Sequence, residues 1–298
     1  MASQRDVRNR IGSIKNIQKI TRAMEMVAAA RLRRAEQRID ALRPYAEAIG
    51  RMTRQAAQAA GAEAARLPLL TPHESEQNVA LLLVTGDRGL AGGFNSQIIR
   101  AGVRLSAEVS EQGLRSSWYA TGRRGVSSLE FRGNELSGSY TGFADRPAYA
   151  DARTIADDVI QAYVDGHLDR VEMIYNAYVS PLTQHVTRQT LLPVTQQALG
   201  DDGADEGPVG AARGAVDYEP DPEKILRRLV PDYIEISIYR ALVESTAGFF
   251  GAQMTAMRSA SESAGEIITD YTLQMNRARQ AEITQEIMEV VAGAEGLS

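Results

Sequence analysis

The 298-residue sequence contains no cysteine, three histidines, one tryptophan and only 6% aromatic residues. Without thiols there is no disulfide, no thiolate metal site and no cysteine nucleophile. His73, His167 and His185 are scattered along the chain, so histidine-based acid–base or metal chemistry has little to build on. No uninterrupted apolar run approaches the roughly 20 residues that a membrane-spanning helix needs. Residues 1 to 13 carry Arg5, Arg8 and Arg10 but lead into no apolar segment or small-residue cleavage site, which does not read as a secretory signal. The expected location is the cytoplasmic side. With aromatics scarce, a large core must be built from aliphatic residues and alanine, a composition that favours closely packed helices.

What is present is distributed unevenly. Residues 1 to 60 hold thirteen Lys and Arg against five acidic residues, a balance of +8, so the other 238 residues carry −13 to reach the net −5. A solvated helix face and a docking surface for an acidic partner both account for such a basic end. Over residues 5 to 60, Ile11, Ile14, Met24, Ala28, Leu32, Ala35, Ile39, Leu42, Ala46 and Ile49 recur at three- and four-residue steps, which predicts one long helix. The stripe drifts around Ile17, Ile20 and Val27, so an irregular coiled coil fits better than a strict heptad. Pro44 predicts a kink or a break. A second stripe, Ile238, Leu242, Phe249, Met257, Ala260, Ala264, Ile268, Tyr271, Met275 and Ala278, follows Pro231 without another proline. About 60 helical residues extend ~90 Å, whereas a single globule of this chain length would be about 50 Å across. The terminal helices are therefore expected to leave the globular part and pair antiparallel as a stalk, with the last turns of the longer one needing another protein.

Between them the texture alternates. Asn78 to Thr85 is a compact apolar run suited to a buried strand, Asn95 to Glu111 is helical in spacing, Ser116 to Thr121 strand-like, Arg153 to Tyr163 helical, and Val171 to Val179 strand-like again. This order predicts a small α/β domain with a largely parallel sheet. Segments 1–60 (helix), 75–198 (α/β domain), 199–221 (acidic insertion) and 222–298 (helix) result. Leu199 to Asp221 holds seven acidic residues and one arginine with scarcely any large apolar side chain, and reads as a mobile loop. The turn Thr85-Gly86-Asp87-Arg88-Gly89-Leu90-Ala91-Gly92-Gly93-Phe94-Asn95 stands where a phosphate might be cradled. Arg88 occupies a position where a dinucleotide fingerprint from Gly86 needs glycine, however, and no Gly-Lys-Ser/Thr triplet exists. Asp87, Asp157 and Asp158 lack the companions that acid–base catalysis requires. The aromatic, glycine-bearing and zinc-ligand patterns of nucleic-acid binders are missing too.

Ser13-Ile14-Lys15-Asn16-Ile17-Gln18-Lys19-Ile20-Thr21-Arg22-Ala23-Met24-Glu25-Met26-Val27-Ala28-Ala29 closely resembles the first helix of the gamma subunits of bacterial F-type ATP synthases. Asp87 to Asn95 resembles a middle segment of that family, and Asn276-Arg277-Ala278-Arg279-Gln280-Ala281-Glu282-Ile283-Thr284-Gln285-Glu286-Ile287 resembles its ending. The resemblance implies an α+β fold: a long antiparallel coiled coil of the terminal helices with an inserted α/β, Rossmann-like domain. It implies a rotor shaft, itself non-catalytic and holding no cofactor or metal, inside a ring of alpha and beta subunits, with the epsilon subunit and the membrane c-ring bound to the α/β domain. Such a subunit is peripheral, on the cytoplasmic face of the cell membrane. By the same resemblance Met24 faces an acidic lever of beta, with Arg22, Arg31, Arg33 and Arg34 as electrostatic partners. Arg279, Gln280, Thr284 and Glu286 match positions that meet beta catch loops, and Gln253, at another contact level, stands where the family often has arginine. The acidic stretch is expected to be a lineage-specific insertion.

Overall fold

A computed structural model of the chain describes residues 4–195 and 221–295; the acidic stretch read from Leu199 onward lies outside the described residues up to Asp221. Two compact units emerge, one made of Met1–Ala29 with Gln253–Ser298 and the other of Ala30–Ala252. Helices α1 (Gln4–Ala60) and α5 (Pro222–Glu295) each contribute to both.

Helix α1 continues through Pro44, and the break considered for that position is absent. Proline deletes one amide donor, and the carbonyl it leaves free belongs to Asp40. Both residues are exposed, so a carbonyl left without its helical donor there is not sealed from solvent and the helix can continue. Helix α5 likewise runs through Pro231 and begins nine residues earlier than that proline. Pro222 stands at its start, where an amide would be unsatisfied anyway, and the Asp221 carboxylate accepts the Glu223 amide at 3.3 Å.

The larger unit is built on a five-stranded sheet. Its strands are β1 (Asn78–Val84), β2 (Arg115–Thr121), β3 (Leu136–Tyr140), β4 (Arg170–Ser180) and β5 (Thr183–Leu192), in the order β3-β2-β1-β4-β5. β1 to β4 are mutually parallel, and β5 returns antiparallel beside β4. Helices α2 (Phe94–Glu111), α3 (Arg123–Phe131) and α4 (Tyr149–Val164) make the crossovers.

Strand β1 is buried on both faces, which is why it reads as an unbroken apolar run. Ala80, Leu82 and Val84 join a core with Ile49, Ala56 and Ala57 of α1, Ile155 and Val159 of α4, and Ile234, Ile238 and Leu242 of α5. On the opposite face α2 lies so close that a Cβ on Gly102 would come within 2.9 Å of Leu83. From Ala241 to Gly251, α5 is buried on every side. A helix in that position loses its amphipathic pattern.

A polar clasp joins the start of β4 to the start of β1. The Asp169 carboxylate accepts the amides of Gln77 and Asn78, both at 2.8 Å, and pairs with His73 Nδ1 at 2.8 Å. His73 stacks on Tyr163 at 4.5 Å. Burial alone would push the Asp169 carboxyl up, but the His73 bond and the two amides outweigh it and hold the carboxyl below its ordinary value. A lowered carboxyl contributes stability above its unfolded pKa of about 4, and the contribution fades as pH falls through the lowered value. Asp169→Asn is therefore expected to cost about 1–2 kcal/mol at pH 7. The gap to wild type, read from urea unfolding midpoints, should narrow as pH falls from neutral through the lowered value; a gap that stays constant across an acid titration would contradict the assignment.

Candidate functional site

The glycine-rich turn lies at the C-terminal edge of the parallel strands, where α/β sheets commonly receive phosphates. Here the chain supplies its own anion. Asp87 accepts the amide of Arg123 at 3.0 Å, at the N-terminus of α3, along with those of Gly142 at 3.1 Å and Ala144 at 3.2 Å. The Gly86 amide donates to Asn95 Oδ1 at 2.8 Å, and Asn95 Nδ2 returns to the Arg88 carbonyl at 3.0 Å. The amides of Gly86, Arg123, Gly142 and Ala144 are thereby engaged in closing the loop. Among the described residues no cluster of three or more His, Asp or Glu is arranged to hold a metal ion.

In the smaller unit the two terminal helices pair antiparallel. Gln18 Nε2 donates to the Ser261 carbonyl at 3.1 Å, the Thr21 and Ser261 hydroxyls meet at 2.6 Å, and Arg258 pairs with Glu25 at 2.8 Å, so rising numbers in α1 meet falling numbers in α5. The seam is made of small side chains: Ala28 and Ala264 are buried, and a Cβ on Gly265 would stand 3.2 Å from Gln18. Small residues let the two backbones approach, and this leaves larger apolar residues facing outward. Ile17, Ile20, Met26 and Val27 are exposed on α1.

The sequence-derived positions fall into separate groups. Arg22 is exposed and lines a shallow groove with Glu25, Arg258 and Glu262, while Met24 is half-buried. Gln253 is half-buried. Arg279, Gln280, Thr284 and Glu286 stand in a stretch of α5, residues 279 to 292, in which every side chain is exposed. The Thr284 hydroxyl is turned back onto the Gln280 carbonyl at 2.8 Å. In the same stretch Met288 is 65% and Val290 72% exposed.

In the larger unit Arg31 and Arg34 line one cavity, while Arg33 is exposed on another side of the helix. Arg31 is held within the chain: its guanidinium lies 3.1 Å from Asp145 and 5.5 Å from the centre of the Phe250 ring. Arg88 reaches the same Asp145 oxygen at 3.5 Å. Sequence reasoning passed over Arg38 and Arg146, which complete this cavity. Arg38 was signalled by its seven-residue step from Arg31; Arg146, on a distant loop, carried no signal.

A model of the family described as ATP synthase matches residues 3–297. Over 299 residues the chain is 42% identical to the ATP synthase gamma chain of Rubrobacter xylanophilus, covering 100% of this chain and 99% of the relative. The chain belongs to the gamma-chain family of ATP synthases. The gamma chain of an Anaeromyxobacter species is 41% identical, with both chains covered completely. Among solved structures, a chain of the central stalk and c-ring of the Tetrahymena thermophila mitochondrial ATP synthase matches at a TM-score of 0.57 and 25% identity, covering 81% of this chain and 99% of that one. A chain of the Euglena gracilis mitochondrial enzyme, at 14% identity, shares the fold with a TM-score of 0.65, covering 99% of this chain and 94% of that one. The antiparallel pair of terminal helices with an inserted, mostly parallel α/β sheet is thus the gamma-chain fold. No helix among the described residues is long and apolar enough to cross a membrane.

Proposed function

We propose that this gamma chain is the central rotor shaft of an F-type ATP synthase, coupling proton-driven rotation of the membrane c-ring to conformational cycling of the catalytic beta subunits. It performs no catalysis itself. Its partners are the alpha and beta subunits, the epsilon subunit and the c-ring, and its place is the cytoplasmic face of the cell membrane as a peripheral subunit. The observation that carries the reading is the full-length family match, joined to a helix pair whose α5 side chains from 279 to 292 are uncovered. A long exposed helix rich in apolar side chains marks a surface for a partner. A turning shaft must also meet similar surroundings repeatedly without locking onto one of them, and exposed polar side chains, each worth about 1 kcal/mol or less, suit that task.

Within this reading Met24, Arg22, Arg31, Arg33 and Arg34 face the acidic lever of beta, Gln253 meets beta at another contact level, and Arg279, Gln280, Thr284 and Glu286 meet the catch loops. Arg31 adds a second role, because its bond to Asp145 ties α1 to the loop before α4. Affinity purification of the native complex should recover one copy of this chain with three alpha and three beta subunits. A disulfide between Arg33→Cys and a cysteine placed on a beta subunit should reduce ATP hydrolysis at least tenfold, with recovery on reduction. Full turnover with the disulfide closed, or purification without a ring, would overturn the shaft assignment.

A further inference from the structure

The cavity on the arginine face of the larger unit holds two arginines, Arg38 and Arg146, to which the shaft role assigns nothing. It measures about 380 Å³ and is lined by Arg31, Arg34 and Arg38 of α1, Asp145 and Arg146 of the loop before α4, and Phe250 of α5. That volume lies within the range of small-ligand sites, about 300–1,000 Å³. Four guanidinium groups thus share the lining with a single carboxylate, and Asp145 is already taken twice, by Arg31 at 3.1 Å and Arg88 at 3.5 Å. Arg34, Arg38 and Arg146 make no ion pair with any described residue. Three like charges held around one concavity repel each other, and a multiply charged anion relieves that repulsion better than a single carboxylate does. Guanidinium groups also match phosphate oxygens in bidentate geometry.

We propose that this cavity is a binding site for a small phosphate-bearing anion, a di- or triphosphate chain, with Arg34, Arg38 and Arg146 as its ligands. Arg31 serves as a positioning residue: its pairing with Asp145 and its place over Phe250 hold one wall of the cavity. The site is separate from the glycine-rich turn, whose Asp87 accepts the amides of Arg123, Gly142 and Ala144. It is accessible on the free chain, so its test does not depend on assembly with other subunits. Ligand and acidic partner side chains would compete for Arg34, which makes the site a point at which the phosphate concentration bears on the grip between shaft and ring.

The test is calorimetric titration of the full chain with inorganic pyrophosphate at low ionic strength, where exposed charges are least screened. The expected result is saturable binding at one site, weakened at least tenfold by the double change Arg34→Gln and Arg38→Gln and separately by Arg146→Gln. Arg33→Gln, on the same helix but outside the cavity, should alter it less than twofold. Thermal unfolding establishes that each variant is folded. A parallel titration with ADP separates the sources: the same variants weakening both ligands assigns the phosphate chain as the shared determinant. Three outcomes would overturn the proposal: no saturable binding, an equal loss in Arg33→Gln, which marks a diffuse electrostatic field, or displacement of pyrophosphate by a hexaglutamate peptide at lower concentration than by ADP, which marks a seat for a partner's carboxylates.

Discussion

Replacing Gly122 by alanine is expected to destabilise the α/β unit by about 3–5 kcal/mol, the sum of backbone strain and steric overlap. Gly122 links β2 to α3 with φ at +82°, a conformation that side chains disfavour, and a Cβ there would fall 2.2 Å from the Thr85 carbonyl oxygen. Backbone cannot be pushed aside at this point. The Thr85 amide and hydroxyl both donate to the Thr121 carbonyl, at 3.1 and 2.7 Å, and the Gly125 amide donates to the Thr85 hydroxyl at 2.8 Å. The Gly122 amide is itself bonded to the Tyr140 carbonyl at 2.7 Å, so the strain spreads to β3. Gly113 supplies the control. Its φ is +77° but nothing lies within 4 Å of the position of its Cβ, so Gly113→Ala should cost only about 1 kcal/mol, the conformational part alone. Trp118, the single tryptophan and a buried residue of β2, reports both transitions in urea. Equal losses in the two variants would remove the overlap argument.

A penalty of that size acts on function through assembly. Domains are stable by only about 5–15 kcal/mol, so a loss of 3–5 leaves the unit that carries Asp87, Asp145 and the arginine cavity substantially weakened. The same segment links these features. Asp87 gathers the amides of Arg123, Gly142 and Ala144, and Asp145 follows directly with its bonds to Arg31 and Arg88. The Thr246 hydroxyl of α5 is 2.9 Å from the Ala144 carbonyl. A loop tied at consecutive residues to the turn after β1, to α1 and to α5 is a stiff connection within this unit, which a domain transmitting torque requires.

How far the sequence discloses this arrangement depends on which physical signal each element carries. β1 is buried on both faces, and Val79 to Val84 shows it as an apolar run; α2 keeps one apolar face, and its three- and four-residue steps are visible. β3 and β5 escaped notice because they lie at the edges of the sheet. Leu136-Ser137-Gly138-Ser139-Tyr140 is small and polar, and the start of β5, Thr183 to Arg188, is mostly exposed, so neither has the apolar contrast that marks a strand. α3 is nine residues long and buries only Gly125 and Leu129, too short a pattern to establish a period. The long helices were legible in existence, but their treatment of Pro44 and Pro231 was not, since tertiary context decides whether a freed carbonyl finds another donor. For the candidate sites, α1 displays Arg31, Arg34 and Arg38 at helical spacing. The pairing of Arg31 with Asp145 joins residues 114 positions apart, and only the fold brings them together.

Glu172→Leu is expected to cost about 2–4 kcal/mol, and most of that loss should return when Arg188→Met is added. Glu172 lies on β4, only 1% exposed, facing the antiparallel partner strand. Arg188 of β5 grips both of its oxygens, at 3.1 Å through Nε and 3.0 Å through Nη2, and Thr190 adds its hydroxyl at 3.2 Å. Arg170 Nε stands 3.4 Å from the same carboxylate. The hydrogen bond to Glu172 is foremost among the influences that raise Arg188 above its ordinary value, against the opposing effect of burial. Removing the carboxylate alone leaves two guanidinium groups around an apolar side chain. Arg170 retains Glu76 at 3.2 Å, but Arg188 retains only Glu108 at 3.6 Å, and part of its side chain is open to water, which limits the cost. Replacing both members of the pair removes the stranded charge as well, and a buried ion pair exchanged for apolar side chains is often near neutral. Urea unfolding of the wild type, both single variants and the double variant closes the cycle. A double variant as unstable as the sum of the two singles would show that β4 and β5 are held by their ladder and core, with the Glu172 cluster contributing no coupling between them.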